Sequence, residues 1–555
     1  MDVRLTCLNP MAYSVTPLGL GYINASLKHA GHTSTIQLFE RQEQLIYDSI
    51  LSMDYFGEKS PLLGIPKYLE WVELISGELF AQELGFVDRG GESIHIRFPK
   101  EVNTILGECN IVADRLSDSD VIGFGVQSQS VGIILYLAQA IKENNKKAKI
   151  ILGGPVTELL IGVFYPMNFL HNSIRDSLKK SGVFSKYRDF LFENVDYIVY
   201  GEGEDSIVEI VNGIEGGTFP TDIRGTSSIR DGEIFSPGPR EPINLDDLPY
   251  PDFEGIDMRR YSHLSFHISR GCIGGCKFCD ERRFFKSFRV REPEKVLDEL
   301  TLNSKKYGIN RFLSGDSLLN GDPSALKKLC QLIIDSGLKI DWGGFMRLPQ
   351  TDEELIDLLY DSGFRRPKFG LESLDQEVID DIQKGQTIDY VKRILKYCRE
   401  KGMAVTTTYM VGYPGYGIEY ELSNIPKVSE VRNLYDYMAL ELINVGIRAD
   451  IAYDPIKHGF EVLSTCEFDK GIWEYYTMGR SYIPGVVTYT RDSLSRKESE
   501  LLFIEYSKQA LLTKDNIEYM LYKHKLGWLK RLREYMPFEI SNWLRTKYLE
   551  KEACL

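Results

Sequence analysis

The chain has 555 residues, 43% hydrophobic and 26% charged, with a net charge of −14. That length exceeds what one hydrophobic core serves and suggests roughly two to four domains, while the negative charge argues against a general nucleic-acid binder. No apolar run is long enough to span a bilayer, and "MDVRLTCLNPM" lacks the apolar core of a signal peptide, so a cytoplasmic protein without a transmembrane segment is expected.

Residues 1–215 alternate short apolar runs with helical stretches. "VRLTCLNP" reads as a strand, "GLGYINASLKHAGH" as a helix stopped at Gly31, and "STIQLF" as a strand. "DVIGFGV" is a buried strand, followed by the helix "GIILYLAQAIKENN" and by the strands "AKIILGG" and "VDYIVYGEGE". Apolar strands ending in glycines, with helices between them, describe an open α/β sheet whose ligands sit beyond the strands' carboxyl ends. Two interruptions, about 41–105 and 157–193, exceed normal connections and suggest helices of their own. Residues 216–262, rich in Pro, Gly and Asp, read as a linker with one hairpin signal at Asp231-Gly232. From 263 the alternation restarts with "LSFHIS", "INRFLSG", "LKIDWGGF", "PKFGLES", "AVTTTYMVG" and "YMALELINV". Six strand–helix repeats over 263–445 suit a barrel or partial barrel, and 446–555 is expected to be a mostly helical extension.

The segment "SRGCIGGCKFCDERRFF" places Cys272, Cys276 and Cys279 within eight residues, directly after the first barrel strand. The six other cysteines are scattered singly, which does not describe a disulfide framework. A structural zinc site closes four ligands, and neither a fourth cysteine nor a nearby downstream histidine follows; His267 lies upstream, within the strand. Three thiolates on a [4Fe–4S] cluster leave one iron open to a substrate or cofactor.

Cys-x3-Cys-x2-Cys with an aromatic, Phe278, before the last cysteine resembles the hallmark of radical S-adenosylmethionine (SAM) enzymes. Further segments match this family in order. "FLSGDS" resembles the glycine–acid segment that receives the SAM amino group, implying that role for Gly315 and Asp316, although the usual Gly-Gly-Glu is here Ser-Gly-Asp. "FGLESLDQEV" resembles the segment near the SAM ribose and carboxylate, implying Glu372 and Ser373. "YMVGYPG" resembles the segment whose backbone lies against adenine, near Val411 and Gly412. The implied chemistry is reductive cleavage of cluster-bound SAM to methionine and a 5′-deoxyadenosyl radical, which abstracts a substrate hydrogen.

The first region is similar to the Rossmann-like cobalamin-binding domain fused to one branch of these enzymes, on "PLGLGYINASLKHAGH", "DVIGFGVQSQS", "IILGGP", "DYIVYGEGE" and the linker "LDDLPYPDF". The resemblance implies a cobalamin site at Pro17, Leu18, Gly19, Gln127, Ser128, Gln129, Gly153, Gly154, Gly201, Glu202 and Gly203, with 127–129 facing cobalt. No Asp-x-His-x-x-Gly stretch supplies a lower axial histidine, and a histidine common after the Gly-Gly-Pro turn is here Val156. No G-x-G-x-x-G follows the first strand, which disfavours a nicotinamide site.

His29 and His32 suit helix capping. "LYKHKLGWLKRLREYM" reads as a basic surface helix, with an anionic lipid or acidic partner as the alternative, and Cys466 as a small hydrophobe. The expected function is cobalamin-dependent methylation of an unactivated carbon in a small-molecule, lipid or peptide substrate, driven by an external low-potential flavodoxin- or ferredoxin-like donor. The alternatives are a cyclisation, rearrangement or oxidation with the same cofactors, and a non-catalytic iron–sulfur protein.

Overall fold

The computed structural model describes residues 1–7, 15–39, 41–42, 100–126, 131–155, 157, 191, 193–230, 233–413, 418–442, 449–454, 456–458 and 506. The first sheet has the strand order β2-β1-β3-β4-β5-β6-β7. Its strands are β1 (Asp2–Cys7), β2 (Thr33–Ile36), β3 (Val121–Gly125), β4 (Lys149–Gly153), β5 (Tyr197–Val199), β6 (Thr226–Arg230) and β7 (Glu233–Phe235). β1 to β5 run parallel, and β6 and β7 close the edge antiparallel. Helices α1 (Leu18–His29), α2 (Lys100–Leu116), α3 (Val131–Asn144) and α4 (Glu204–Glu215) accompany the strands. In β3, Val121 to Phe124 are all buried, as a parallel strand covered on both faces requires. The order 2-1-3-4-5 reverses direction between β1 and β3, and such switch points open a crevice at the strands' carboxyl ends.

Helix α1 ends at His29, and Gly31 (φ +93°) takes the left-handed position the sequence reserved for it. His32 is stitched to α4, its Nε2 2.8 Å from Asn212 Oδ1 and its Nδ1 3.4 Å from Glu215.

The 216–262 segment is not a free tether. Its β6–β7 hairpin belongs to the first sheet, with Arg230 opposite Glu233; residues 231–232 of the expected turn lie outside the described residues. Its later part packs under α1. Phe253 is fully buried, a Cβ on Gly21 would come within 2.6 Å of its ring, and Lys28 binds Asp252 at 2.7 Å. Burial opposes the Asp252 charge, yet Lys28 and Lys306 hold its pKa down at about 2. Gly255 (φ +97°) is obligatory, because a Cβ there would lie 2.1 Å from the Ile36 carbonyl oxygen. Phe253→Ala is expected to cost about 3–5 kcal/mol, read as a lower denaturant midpoint at unchanged slope.

The second sheet is wholly parallel, in the order β15-β14-β13-β12-β11-β8. It consists of β8 (Leu264–Phe266), β11 (Arg311–Ser314), β12 (Asp341–Met346), β13 (Phe364–Glu372), β14 (Thr406–Val411) and β15 (Tyr437–Leu442). Each strand neighbours its successor, and β8 and β15 do not pair: the sheet curls as a partial barrel. A separate two-stranded ribbon, β9 (Ser269–Arg270) with β10 (Arg289–Val290), stands beside it. Of its helices, α5 (Glu281–Phe284) follows the cysteine segment, and α6 (Pro293–Tyr307) and α7 (Pro323–Ser336) both begin at proline and stop before a left-handed glycine, Gly308 and Gly337. Helices α8 (Glu353–Asp361), α9 (Gln376–Asp381), α10 (Ile388–Glu400) and α11 (Ile418–Glu430) complete the outer layer. Phe266, Phe312, Trp342, Phe364 and Phe369 fill the space beneath them and share one apolar core with Val3, Leu27 and Tyr197 of the first sheet.

The two sheets are hydrogen-bonded to each other. Val15 bridges His263, Thr16 N–H donates to the His263 carbonyl at 3.3 Å, and Ser265 N–H donates to Thr16 Oγ1 at 2.8 Å. No helix among the described residues is long and apolar enough to cross a membrane. Of the 446–555 extension, Cys466 and the basic stretch 521–536 lie outside the described residues. Tyr506 is buried against the barrel, its hydroxyl 2.9 Å from Glu421 Oε2 and its ring 5.3 Å from Tyr409.

Candidate active site

The cysteine loop leaves the β9 end of the ribbon at Gly271, whose φ of +88° and close approach to the Ser287 carbonyl admit no side chain. Cys272, Cys276 and Cys279 are all partly exposed free thiols. Gly274 N–H donates to Cys272 Sγ at 3.3 Å, and Cys279 N–H to the Cys276 carbonyl at 3.1 Å. Burial pushes the Cys279 thiol well up, and the Cys272 thiol up against the pull of Gly274 N–H and Arg347. Thiols held protonated in this way release protons when they take a metal. Among the described residues no three His, Cys, Asp or Glu side chains converge on a single-ion position. The loop is a shallow arc of soft donors, with glycines at 274 and 275 and the exposed Ile273 between them. A Cβ on Gly274 would meet the Arg347 guanidinium at 2.4 Å, so that cation sits immediately behind the loop.

The residues expected to hold SAM surround this loop, but two carry other duties. Asp316 is buried and spends its carboxylate on the entry to the loop. It accepts from Ile268 N–H at 3.0 Å, from Ser269 Oγ at 2.6 Å, and from Ser269 N–H and Ser314 Oγ. Burial holds its pKa above the ordinary value. Its oxygens are thus engaged by the chain's own donors at the loop entry. Gly315 donates to the Phe266 carbonyl at 2.8 Å, and a Cβ on it would strike Leu18 at 2.9 Å.

Glu372 ends β13 at a register shift with φ +66°, a left-handed conformation that is strained for a glutamate and that clusters at functional sites. Its carboxylate accepts from Lys384 Nζ at 2.8 Å and from Thr408 Oγ1 at 3.1 Å. Burial opposes the Lys384 charge, but Glu372 and the Cys276 thiol raise its pKa. Ser373 caps the next turn by accepting from Asp375 N–H at 3.0 Å. Val411 is buried, and Gly412 (φ +81°) donates to Glu421 at 3.2 Å. Phe278 is half-buried beside Cys279.

Lys384 and Arg347 are absent from the sequence-based residues; Lys384 sits in a polar loop that reads as solvated surface and only the fold buries it, while Arg347 is half-buried at the end of β12. Phe345 and Lys368 were missed too. They are register partners on β12 and β13, with Lys368 Nζ 5.1 Å from the ring centre. Strand alternation puts Phe345 on the face opposite the helix-covered Trp342, and it is 41% exposed there, so the inner face of the barrel keeps an open aromatic surface.

In the first domain, Gln127, Ser128, Gln129 and Val156 lie outside the described residues. Pro17, Leu18 and Gly19 start α1 at the crevice between β1 and β3. Among the described residues, a Cβ at Gly19 or Gly201 would have no neighbour within 4 Å, and one at Gly153 would have only Val199, at 3.9 Å. Glycine at these three positions leaves side-chain space open at the ends of β4 and β5 and the start of α1, a glycine cradle at one end of the sheet. Gly154 (φ +127°) and Gly203 serve packing instead, with Cβ positions 2.4 Å from the Val126 oxygen and 3.1 Å from Val199. Glu202 departs from expectation: its carboxylate turns away from the cradle to accept from Arg270 Nη1 at 2.7 Å and Arg289 Nη1 at 2.9 Å.

A strand-end cysteine loop on an open parallel barrel, joined to a doubly wound domain, defines a class. Residues 266–422 match the family model described as the Radical SAM superfamily. It is 26% identical over 231 residues to the anaerobic magnesium-protoporphyrin IX monomethyl ester cyclase of Rubrivivax gelatinosus, covering 39% of this chain and 42% of that protein. The chain thus spans under half of that relative's length. Two solved structures share the fold. The cobalamin-dependent SAM radical enzyme OxsB, with aqua-cobalamin and SAM bound, aligns with 100% of this chain and 75% of its own (TM-score 0.60, 13% identity). The radical SAM methyltransferase TsrM of Kitasatospora setae, with cobalamin and a [4Fe–4S] cluster bound, aligns with 95% of this chain and 91% of its own (TM-score 0.56, 15% identity).

Proposed function

We propose that the protein is a cobalamin-dependent radical SAM enzyme that transfers a methyl group to an unactivated carbon. The observation that carries this reading is the contact of Leu18 with Gly315, which brings the first domain's glycine cradle against the segment beside the cysteine loop. That contact supports reading the two regions as one joint site.

Cys272, Cys276 and Cys279 would hold a [4Fe–4S] cluster, the cradle at Gly19, Gly153 and Gly201 a cobalamin, and the surroundings of Glu372, Ser373 and Gly412 a SAM. When bound, these groups supply the electron and the radical for hydrogen abstraction and the carrier for the methyl group. The chain's own residues do the rest. Gly274 N–H and the Arg347 guanidinium stabilise negative charge on Cys272. Asp316 fixes the loop's entry, Lys384 keeps a buried positive charge next to Cys276, and the apolar Ile273 and Phe345 limit water around reacting groups. Residues 1–215 are proposed as the cobalamin domain, 263–445 as the radical domain and 446–555 as the substrate-defining extension, which Tyr506 ties to β14 and α11. The substrate is proposed to be a small molecule, lipid or peptide, the electron source an external flavodoxin- or ferredoxin-like protein, and the location the cytoplasm.

The test is SAM carrying a deuterated methyl group. Methyl transfer is expected to move the label into product, with S-adenosylhomocysteine and 5′-deoxyadenosine released in equal amounts, since one SAM gives up its methyl and another its adenosyl group. The cyclase name of the Rubrivivax relative favours a second reading, ring closure or oxidation with the same cofactors. An unlabelled, mass-reduced or isomeric product, with little S-adenosylhomocysteine, selects that reading.

A further inference from the structure

The cysteine loop is held at its neck by the other domain. Arg270 and Arg289 are register partners on the β9–β10 ribbon, and all three cysteines lie on the excursion between those strands. The ribbon belongs to neither large sheet, so no ladder of either one fixes its position. Two guanidiniums side by side would repel. Both are instead directed at the turn joining β5 to α4. Glu202 takes Arg270 Nη1 at 2.7 Å and both terminal nitrogens of Arg289 at 2.9 and 3.0 Å, while Glu204 takes Arg270 Nη2 at 2.5 Å. A fourth bond to Glu202 seats the turn, from Ile243 N–H to Glu202 Oε2 at 3.0 Å. Arg270, Glu202 and Glu204 side chains are each 12% exposed or less, and Arg270 lies 5.4 Å over the Tyr22 ring of α1. Two arginines against two carboxylates leave no net charge at this joint, and the paired, forked geometry permits little rotation. From the barrel side the loop's entry is held at Ile268 and Ser269 by Asp316 and the Leu318 carbonyl, and the loop's far part by Lys277, which donates to the Ile382 carbonyl at 3.3 Å and to Asp381 at 2.8 Å.

We infer that Glu202, assisted by Glu204, is a positioning residue: it locks the neck of the cysteine loop to the first domain and so sets the separation and orientation of the cluster relative to the cobalamin. The inference rests on the function proposed above and gives the Gly-Glu-Gly-Glu turn a role distinct from touching a ligand.

The test uses the full chain loaded with both cofactors and reduced until cluster and Co(II) are both paramagnetic. Pulsed EPR then reads the magnetic interaction between them, which a purely stabilising residue would not alter. Glu202→Gln is expected to bind iron and cobalamin as the wild type does, to change that interaction, and to weaken SAM binding about tenfold. Leu395→Ala, which weakens the barrel core away from the joint, is expected to leave the interaction unchanged. Should Glu202→Gln fail to fold, Glu204→Gln removes one contact only and is expected to shift the interaction in the same direction. An interaction identical to wild type in a folded Glu202 or Glu204 variant overturns the inference alone. Absence of the cluster or Co(II) signal from the wild type overturns the proposed function, and the inference with it.

Discussion

Protein carrying Cys272→Ala, Cys276→Ala and Cys279→Ala together will retain no iron and release no 5′-deoxyadenosine from SAM, while keeping its fold. The fold survives because the loop stands outside both sheets and its side chains are only half-buried. The chemistry does not, because among the described cysteines these three alone share the loop between the ribbon strands, each in a partly exposed residue. Cys330 and Cys398 are sealed in the helix layer, where burial pushes their thiols up to about 12. Iron content by elemental analysis, the charge-transfer absorption of the reconstituted protein and product chromatography check the three parts separately. Would the triple variant still cleave SAM reductively, the loop is not the cluster site.

Lys384→Met is expected to destabilise the barrel by about 3–5 kcal/mol, and Glu372→Gln by a similar amount, because each strands the other's charge in the interior. The side chains are 8% and 10% exposed, so water does little to screen the loss. The double variant should be less destabilised than the sum of the singles, since no charge is left unpaired. Denaturant midpoints of the four proteins close the cycle. Equal and additive losses would show that the two residues do not act as a pair. All three variants should also bind SAM weakly, because Glu372 holds its left-handed backbone only while its carboxylate is anchored.

Most of the strands were open to inspection in the sequence because a parallel sheet writes its buried strands as apolar runs that stop at glycine, as in "DVIGFGV" and "AKIILGG". Prolines and glycines marked the ends of α6 and α7 for the same kind of reason. The cysteine loop was visible from spacing alone. What stayed hidden were the partners of charged residues. Glu202 meets Arg270 across 68 positions, Asp316 meets Ser269 across 47, and Glu372 meets Lys384 only after the turn of α9. A carboxylate near a glycine turn looks the same in sequence whether it faces a ligand or an arginine; burial and distance decide between them. The packing of the 216–262 segment was hidden for a related reason. Pro, Gly and Asp signal turns, and turns that hug a neighbouring helix have the same composition as free ones, so Phe253 was the informative residue there.

Because one apolar core runs from Val3 and Leu27 through Phe266 to Trp342 and Phe369, the two halves of this protein are not interchangeable cartridges. A first domain transplanted from a relative would bring its own version of α1 to a seam shaped by Phe253, Thr16 and Leu18, and the donor and recipient surfaces would have to match atom for atom. Substitutions on the inner barrel face, such as at Phe345, leave this seam untouched, whereas exchange of a whole domain does not. The seam behaves as inherited architecture, and variation is steered toward the surfaces it leaves free.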